Sequence, residues 1–266
     1  MSVHVVDRTL AFSEFERQAI LLTRYTRERL NPVPVRYRKF LNERVYGPVN
    51  RAECLLITAN EERSRTDESK KRRDALFRAA VSEYMKLQIP LIAVWNLRGL
   101  TPESSADWAE KVNLVLRLIW GVAKWEACVS MIVPLPSKMK MENLDFLKTM
   151  AELHRYTYQK IGHAPQYCKD AVSDKIALFV DAALCEVVLA NRKPPENREE
   201  AEERDKHLRQ SIRSLNGLQR PLLALWLEQE YSEREMVEWS ELVNRELKLL
   251  EGLRKADEAR YKDLKN

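Results

Sequence analysis

The 266-residue sequence predicts an all-α chain built as two tandem up-down four-helix bundles, and three observations carry that expectation. The chain is written twice: LQIPLIAVW at 87–95 returns as LQRPLLALW at 218–226, an offset of 131. The same offset, without a gap from Phe15/Phe146 to Lys124/Lys255, pairs Arg24-Tyr25-Thr26 with Arg155-Tyr156-Thr157, Pro34 with Pro165, Cys54 with Cys185 and Ala59-Asn60 with Ala190-Asn191. It also pairs Arg73-Asp74 with Arg204-Asp205, Trp108 with Trp239, Val112-Asn113 with Val243-Asn244 and Gly121 with Gly252. Apolar residues recur at helical spacing, breakers fall between the runs, and no segment carries a strand pattern. Composition agrees, with 32% charged residues and only six Gly.

A register kept over so long a stretch means two copies of one fold, and each copy, about 120 residues, is large enough to bury its own core. The period is far longer than that of a solenoid repeat, so a whole domain is duplicated. The expected divisions are a first bundle over 1–126, a connector over 127–140 and a second bundle over 141–266. The connector holds Pro134 and Pro136 and is apolar at Met131, Ile132, Val133 and Leu135, which predicts that it packs against a bundle.

In copy two the first helix is expected over about 142–162, ending near Gly162, and the second from after Pro165 to about Arg192, where Lys193-Pro194-Pro195 stops it. The third spans about 197–230 with Pro221 inside it. The fourth starts at Ser232 as N-cap with Glu235 three residues on, a capping box ahead of Met236, Trp239, Leu242 and Val243. Copy one repeats the plan, with Thr101 as cap and Pro102 at the first helical position. Pro90 and Pro221 fall mid-helix at one shared site, which predicts a kink in both copies. Trp95, Trp108, Trp226 and Trp239 read as core or packing residues and not as a base-stacking platform.

No apolar run approaches a membrane span, and charges break the N-terminal segment too early for a signal core, so a cytoplasmic, membrane-free protein is expected. Cys54, Cys128, Cys168 and Cys185 form no C-x-x-C pair and read as buried thiols of a reducing compartment. Catalytic chemistry is not visible. His4, His154, His163 and His207 lack metal-ligand spacing, and His154 and His163 are expected on the surface or at a cap. No Gly-rich loop follows a strand, and no paired Glu-x-x-His elements mark a di-metal bundle. The run ENREEAEERD at 196–205 reads as a solvated helix face. Neither an enzyme nor a cofactor or metal is expected.

The junction of the first two helices reads PVRYRKFLNERV at 34–45 and PQYCKDAVSDKI at 165–176. Together with the fourth-helix start SEREMVEW, both segments resemble a family of small four-helix-bundle proteins. That family includes those encoded in 23S ribosomal RNA intervening sequences and the accessory variability determinant of diversity-generating retroelements. The chain departs from it in being a fused pair and in placing Asn42 and Ser173 where the family has a glycine. The resemblance implies a non-enzymatic helical protein that binds nucleic acid and, in the retroelement case, a reverse transcriptase during mutagenic cDNA synthesis. Single-copy relatives assemble into rings, which makes a homo-oligomer one candidate partner. A fused pair changes the count of bundles per chain, however, so a ring with an odd number of bundles could not be built from whole chains with every copy used.

Charge bears on that implication. Residues 1–130 hold 22 Lys/Arg against 16 Asp/Glu, a net of +6, while 131–266 hold 23 against 24, a net of −1. The cations of copy one gather as Arg24, Arg27, Arg29, Arg36, Arg38, Lys39, Arg44 and Arg51, with a second run at Lys70, Lys71, Arg72 and Arg73. Such clusters are candidates for backbone contacts to RNA or DNA, which add salt-dependent affinity without sequence information. The alternative is a solvated face balanced by acids such as Glu28 and Glu43, in a helical scaffold or interaction module with no nucleic-acid role.

Overall fold

The computed structural model describes residues 13–31, 33, 37–38, 41–62, 66–97, 101–123, 131–133, 144–163, 172–227, 231–262 and 264. Among them the regular structure is helical, without a strand. In chain order the helices are α1 (Glu14–Leu30), a π-helical turn (Asn42–Tyr46) leading into α2 (Gly47–Glu61), α3 (Asp67–Met85), α4 (Gln88–Asn96) and α5 (Pro102–Ala123). Then come α6 (Asp145–His163), α7 (Asp174–Ala190), α8 (Arg198–Leu227) and α9 (Glu233–Arg260). No helix among the described residues is long and apolar enough to cross a membrane.

The chain divides into two compact units, Met1–Leu91 with Gly99–Pro134, and Ile92–Arg98 with Leu135–Asn266. In unit one α1 packs on α2, α2 on α3, α3 on α5, and α5 back on α1. In unit two α6 packs on α7, α7 on α8, α8 on α9, and α9 back on α6. Apolar residues at helical spacing fill each interior: Leu22, Val49, Leu56, Phe77, Trp108 and Ile119 in unit one, and Met150, Val180, Leu184, Leu215, Trp239 and Leu250 in unit two are all at most 2% exposed.

Several helix ends follow from local sequence. The Ser232 hydroxyl accepts the Glu235 N–H (3.3 Å) while the Glu235 carboxylate accepts the Ser232 N–H (3.0 Å), the reciprocal box that opens α9. Thr101 caps α5 by accepting the Ser104 N–H (3.1 Å), with Pro102 in the first helical position. A further box, Thr66 with Ser69, opens α3.

The mid-helix site expected for both Pro90 and Pro221 is met at Pro221 and not at Pro90. A proline has no N–H and its ring crowds the carbonyl four residues back, here Lys86 or Gly217. In copy one the helix ends at Met85, the Leu87 N–H bonds the Tyr84 carbonyl (3.0 Å), and α4 starts afresh so that Pro90 falls in its first turn. In copy two α8 runs through Pro221 for 30 residues. Gly217 admits the Phe179 ring of α7 so closely that an added Cβ would lie 2.6 Å from Cε1.

Residues paired by the 131 offset repeat one geometry. Tyr25 of α1 meets Trp108 of α5 edge-on at 6.1 Å and 77°, and Tyr156 of α6 meets Trp239 of α9 at 6.0 Å and 72°. The Tyr25 hydroxyl donates to Asp107 (2.6 Å) and the Tyr156 hydroxyl to Glu238 (3.0 Å), the acid just before each indole. Arg29 and Lys160, also equivalent, lie over those phenol rings at 5.0 and 5.1 Å. One bond differs. The buried Trp239 indole donates to Thr157 (3.0 Å), whereas the buried Trp108 Nε1 and Thr26 Oγ1 have no hydrogen-bond partner among the described residues.

Two contrasts test this packing by thermal or denaturant unfolding. Thr157→Val should cost about 1–2 kcal/mol by stranding a buried indole N–H, while Thr26→Val should be neutral or stabilising. Gly252→Ala, with open space at its Cβ, should stabilise by up to about 1 kcal/mol, whereas Gly217→Ala should destabilise because the Phe179 ring must move.

Candidate functional site

Most cations singled out in copy one are engaged in local bonds. Arg24 pairs with Glu28 (3.0 Å), Arg51 with Glu83 (2.9 Å), Lys70 with Asp67 (3.1 Å) and Arg72 with Glu62 (3.4 Å). Arg27 donates to the Tyr46 hydroxyl (2.9 Å), and Arg29 covers Tyr25. Arg38 donates to the carbonyls of Asn31 (2.5 Å) and Val33 (2.8 Å), satisfying backbone acceptors where α1 ends. Arg73 lies over Phe77 at 5.2 Å, Arg44 sits in the π-helical turn, and Lys71 is exposed on α3. Arg36 and Lys39 lie outside the described residues. Four of these cations, Arg24, Arg51, Lys70 and Arg72, thus face acids, in exposed pairs of the kind that hold a cation only weakly.

Three expectations about single residues are corrected. His154 is fully buried rather than on the surface. It bonds Asp181 through Nε2 (2.9 Å), the Asn96 carboxamide nitrogen lies 3.0 Å from Nδ1, and the Tyr158 hydroxyl donates to the other Asp181 oxygen (2.9 Å). An amide donor at Nδ1 places the imidazole proton on Nε2, facing Asp181. The cluster offers no nucleophile and no access for a substrate, and its partners satisfy one another, which is what a buried polar group requires. Sequence spacing could not reveal it, because its members come from distant segments. His163 is exposed, as expected. Cys54 is exposed while Cys185 is buried, and burial pushes the Cys185 thiol up; Cys128 and Cys168 lie outside the described residues. Among the tryptophans, Trp108 and Trp239 are in the core and Trp95 is 9% exposed, but Trp226 is 47% exposed.

Trp226 stands at the rim of a groove of about 650 Å³ between α8 and α9 in unit two. Leu222, Met236 and Val243 form its buried floor, and Leu223, Trp226 and Val237 stand half-exposed around it. Gln219 and Asn244, both exposed, flank it, and neither makes a side-chain hydrogen bond among the described residues. Sequence reasoning missed these two. Their only signal was identity with Gln88 and Asn113 inside the repeat.

Gln88 and Asn113 have a visible task in unit one. Asn113 donates to the Ile132 carbonyl (2.8 Å) and accepts the Ile132 N–H (2.9 Å). Gln88 donates to the Val133 carbonyl (3.2 Å) and accepts the Val133 N–H (2.6 Å). In an extended chain, one residue's N–H and C=O face one edge and the next residue's face the opposite edge. Two carboxamides thus hold this piece of the connector from both sides, with the Ile132 side chain 1% exposed. The packing expected for the connector is met at 131–133; its remaining residues, 127–130 and 134–140, lie outside the described ones.

Among the described residues no group of three or more His, Cys, Asp or Glu side chains is arranged to hold a metal ion. Glu246 of α9 is fully buried, and neither of its carboxyl oxygens is hydrogen-bonded among the described residues. Burial pushes it up to about 9 from 4.5. The folded chain then carries a proton there that the unfolded chain has lost, so stability falls as pH rises from 4.5 to about 9. Copy one has Val115 at the equivalent position. Glu246→Val should stabilise the chain by more than about 1 kcal/mol, with a larger gain at pH 8 than at pH 5, read from paired melting curves.

Compared with known proteins, the chain matches no family model, no curated protein and no solved structure.

Proposed function

We propose that this chain is a non-catalytic protein-interaction module made by tandem duplication of a four-helix bundle. The duplication reading rests on the sequence repeat together with the matching Tyr–acid–Trp geometry of the two units. The observation that carries the interaction reading is the open groove of unit two. Leu223 (53% exposed), Trp226 (47%) and Val237 (51%) line it together, a concentration of exposed apolar side chains of the kind that marks a binding surface.

A second reading, an accessory protein that binds RNA or DNA beside a reverse transcriptase, takes its support from the net +6 of residues 1–130 and from the family resemblance. The acid partners of Arg24, Arg51, Lys70 and Arg72 weigh against a dedicated phosphate surface, since each neutralises a charge that phosphate would otherwise meet.

A titration of the purified chain with RNA at low and physiological salt separates the two. The interaction module should show at most weak binding that vanishes at physiological salt. Saturable binding that persists there, and that is lost in an Arg24→Glu, Arg27→Glu, Arg51→Glu variant, would establish the nucleic-acid reading instead.

A further inference from the structure

Equivalent carboxamides of the two units stand in different states. In unit one Gln88 and Asn113 hold the extended residues 131–133. In unit two the equivalent carboxamides, Gln219 and Asn244, flank an open groove whose floor residues Leu222 and Val243 match Leu91 and Val112. The residues that the offset places opposite 131–133 do not fill it. Helix α9 continues to Arg260, Lys262 lines a charged cleft with Arg198 and Asp257, and the Leu264 N–H bonds the Tyr261 carbonyl.

We propose that the α8–α9 groove of unit two binds an extended apolar segment of another protein, an Ile-Val-like pair whose successive residues are held through their backbone N–H and C=O groups by Asn244 and Gln219. The inference rests on the duplication and interaction-module readings above and names the partner chemistry. The seated segment of unit one supplies the pattern. An extended backbone entering an apolar groove must have its amide groups bonded, because leaving them buried and unpaired is costly. Two carboxamides on opposite walls meet that need without reading side-chain identity, and the apolar floor selects aliphatic residues. Glu233 and Glu241 at the groove's edge favour neutral or basic flanking residues over acidic ones. A second copy of this chain is a poorer occupant, since its own Ile132-Val133 is already held by its Gln88 and Asn113.

The test is a fluorescence-polarisation titration of the full chain against a labelled peptide with the sequence of residues 129–135, followed in parallel by tryptophan emission. Saturable one-site binding with a change in emission is expected. Gln219→Ala and Asn244→Ala should each weaken it about tenfold, the effect of losing roughly 1.4 kcal/mol of backbone hydrogen bonding. A peptide N-methylated at the Ile and Val amides should not bind. No saturable binding, or equal affinity for the methylated peptide, would overturn the proposal, because apolar adhesion alone does not depend on those amides. A concentration-dependent dimer in sedimentation that Trp226→Glu abolishes would likewise overturn it by giving the groove to self-association. A null peptide result overturns only this clamp, while the interaction-module reading fails separately through salt-resistant RNA binding.

Discussion

In each unit an edge-on contact joins the first helix to the last: Tyr25 with Trp108, and Tyr156 with Trp239. The buried indole supplies a large apolar surface, and the phenol bridges from that surface to an acid, so its polar end is satisfied without leaving the packed ring. The two hydroxyl bonds span 82 residues each. The other helices need only pack on their sequence neighbours; this contact closes the circle. It also explains why Arg29 and Lys160 are basic. Each lies over the phenol ring, so Arg29, one of the candidate nucleic-acid cations, has a packing role shared with Lys160.

Around that shared contact the two units differ in their polar interiors. Copy two bonds its indole to Thr157, while copy one buries the same two groups without a bond among the described residues. Copy two tolerates a lone carboxyl at Glu246 where copy one packs Val115. These differences run in opposite directions, so neither copy is simply the better packed. They differ too in what the paired carboxamides meet: Gln88 and Asn113 bond Val133 and Ile132, while Gln219 and Asn244 flank an open groove.

Local chemistry was legible where a short pattern dictates one answer. Ser232 with Glu235, Thr101 ahead of Pro102, and Pro194-Pro195 after α7 placed helix ends correctly because capping and proline act within a few residues. The break before Pro90 was not legible, because the same proline fits a first helical turn or an interrupted long helix, and packing decides between them. Gly217 illustrates the point, since its role depends on Phe179, which lies on a different helix. Charge clusters were visible in composition, and Glu28 four residues from Arg24 was a legible partner, but Glu83, 32 residues from Arg51, is one that no linear pattern links. The carboxamides of the groove were present in the repeat yet carry no directional signature; only the seated Ile132 and Val133 reveal what such side chains do.

Residues 92–98 lie in the sequence of the first copy but group with unit two. Through them Asn96 reaches the Ala151 carbonyl and the His154 ring. The sequence boundary between the copies is therefore not a cleavage plane. A fragment cut at the connector would leave the second copy with an imidazole nitrogen lacking its amide donor, and would deprive the first of the tail of its own helix. For folding during synthesis, the same interleaving means that residues 92–98 emerge long before the elements they pack among, and must wait for a partner still being made.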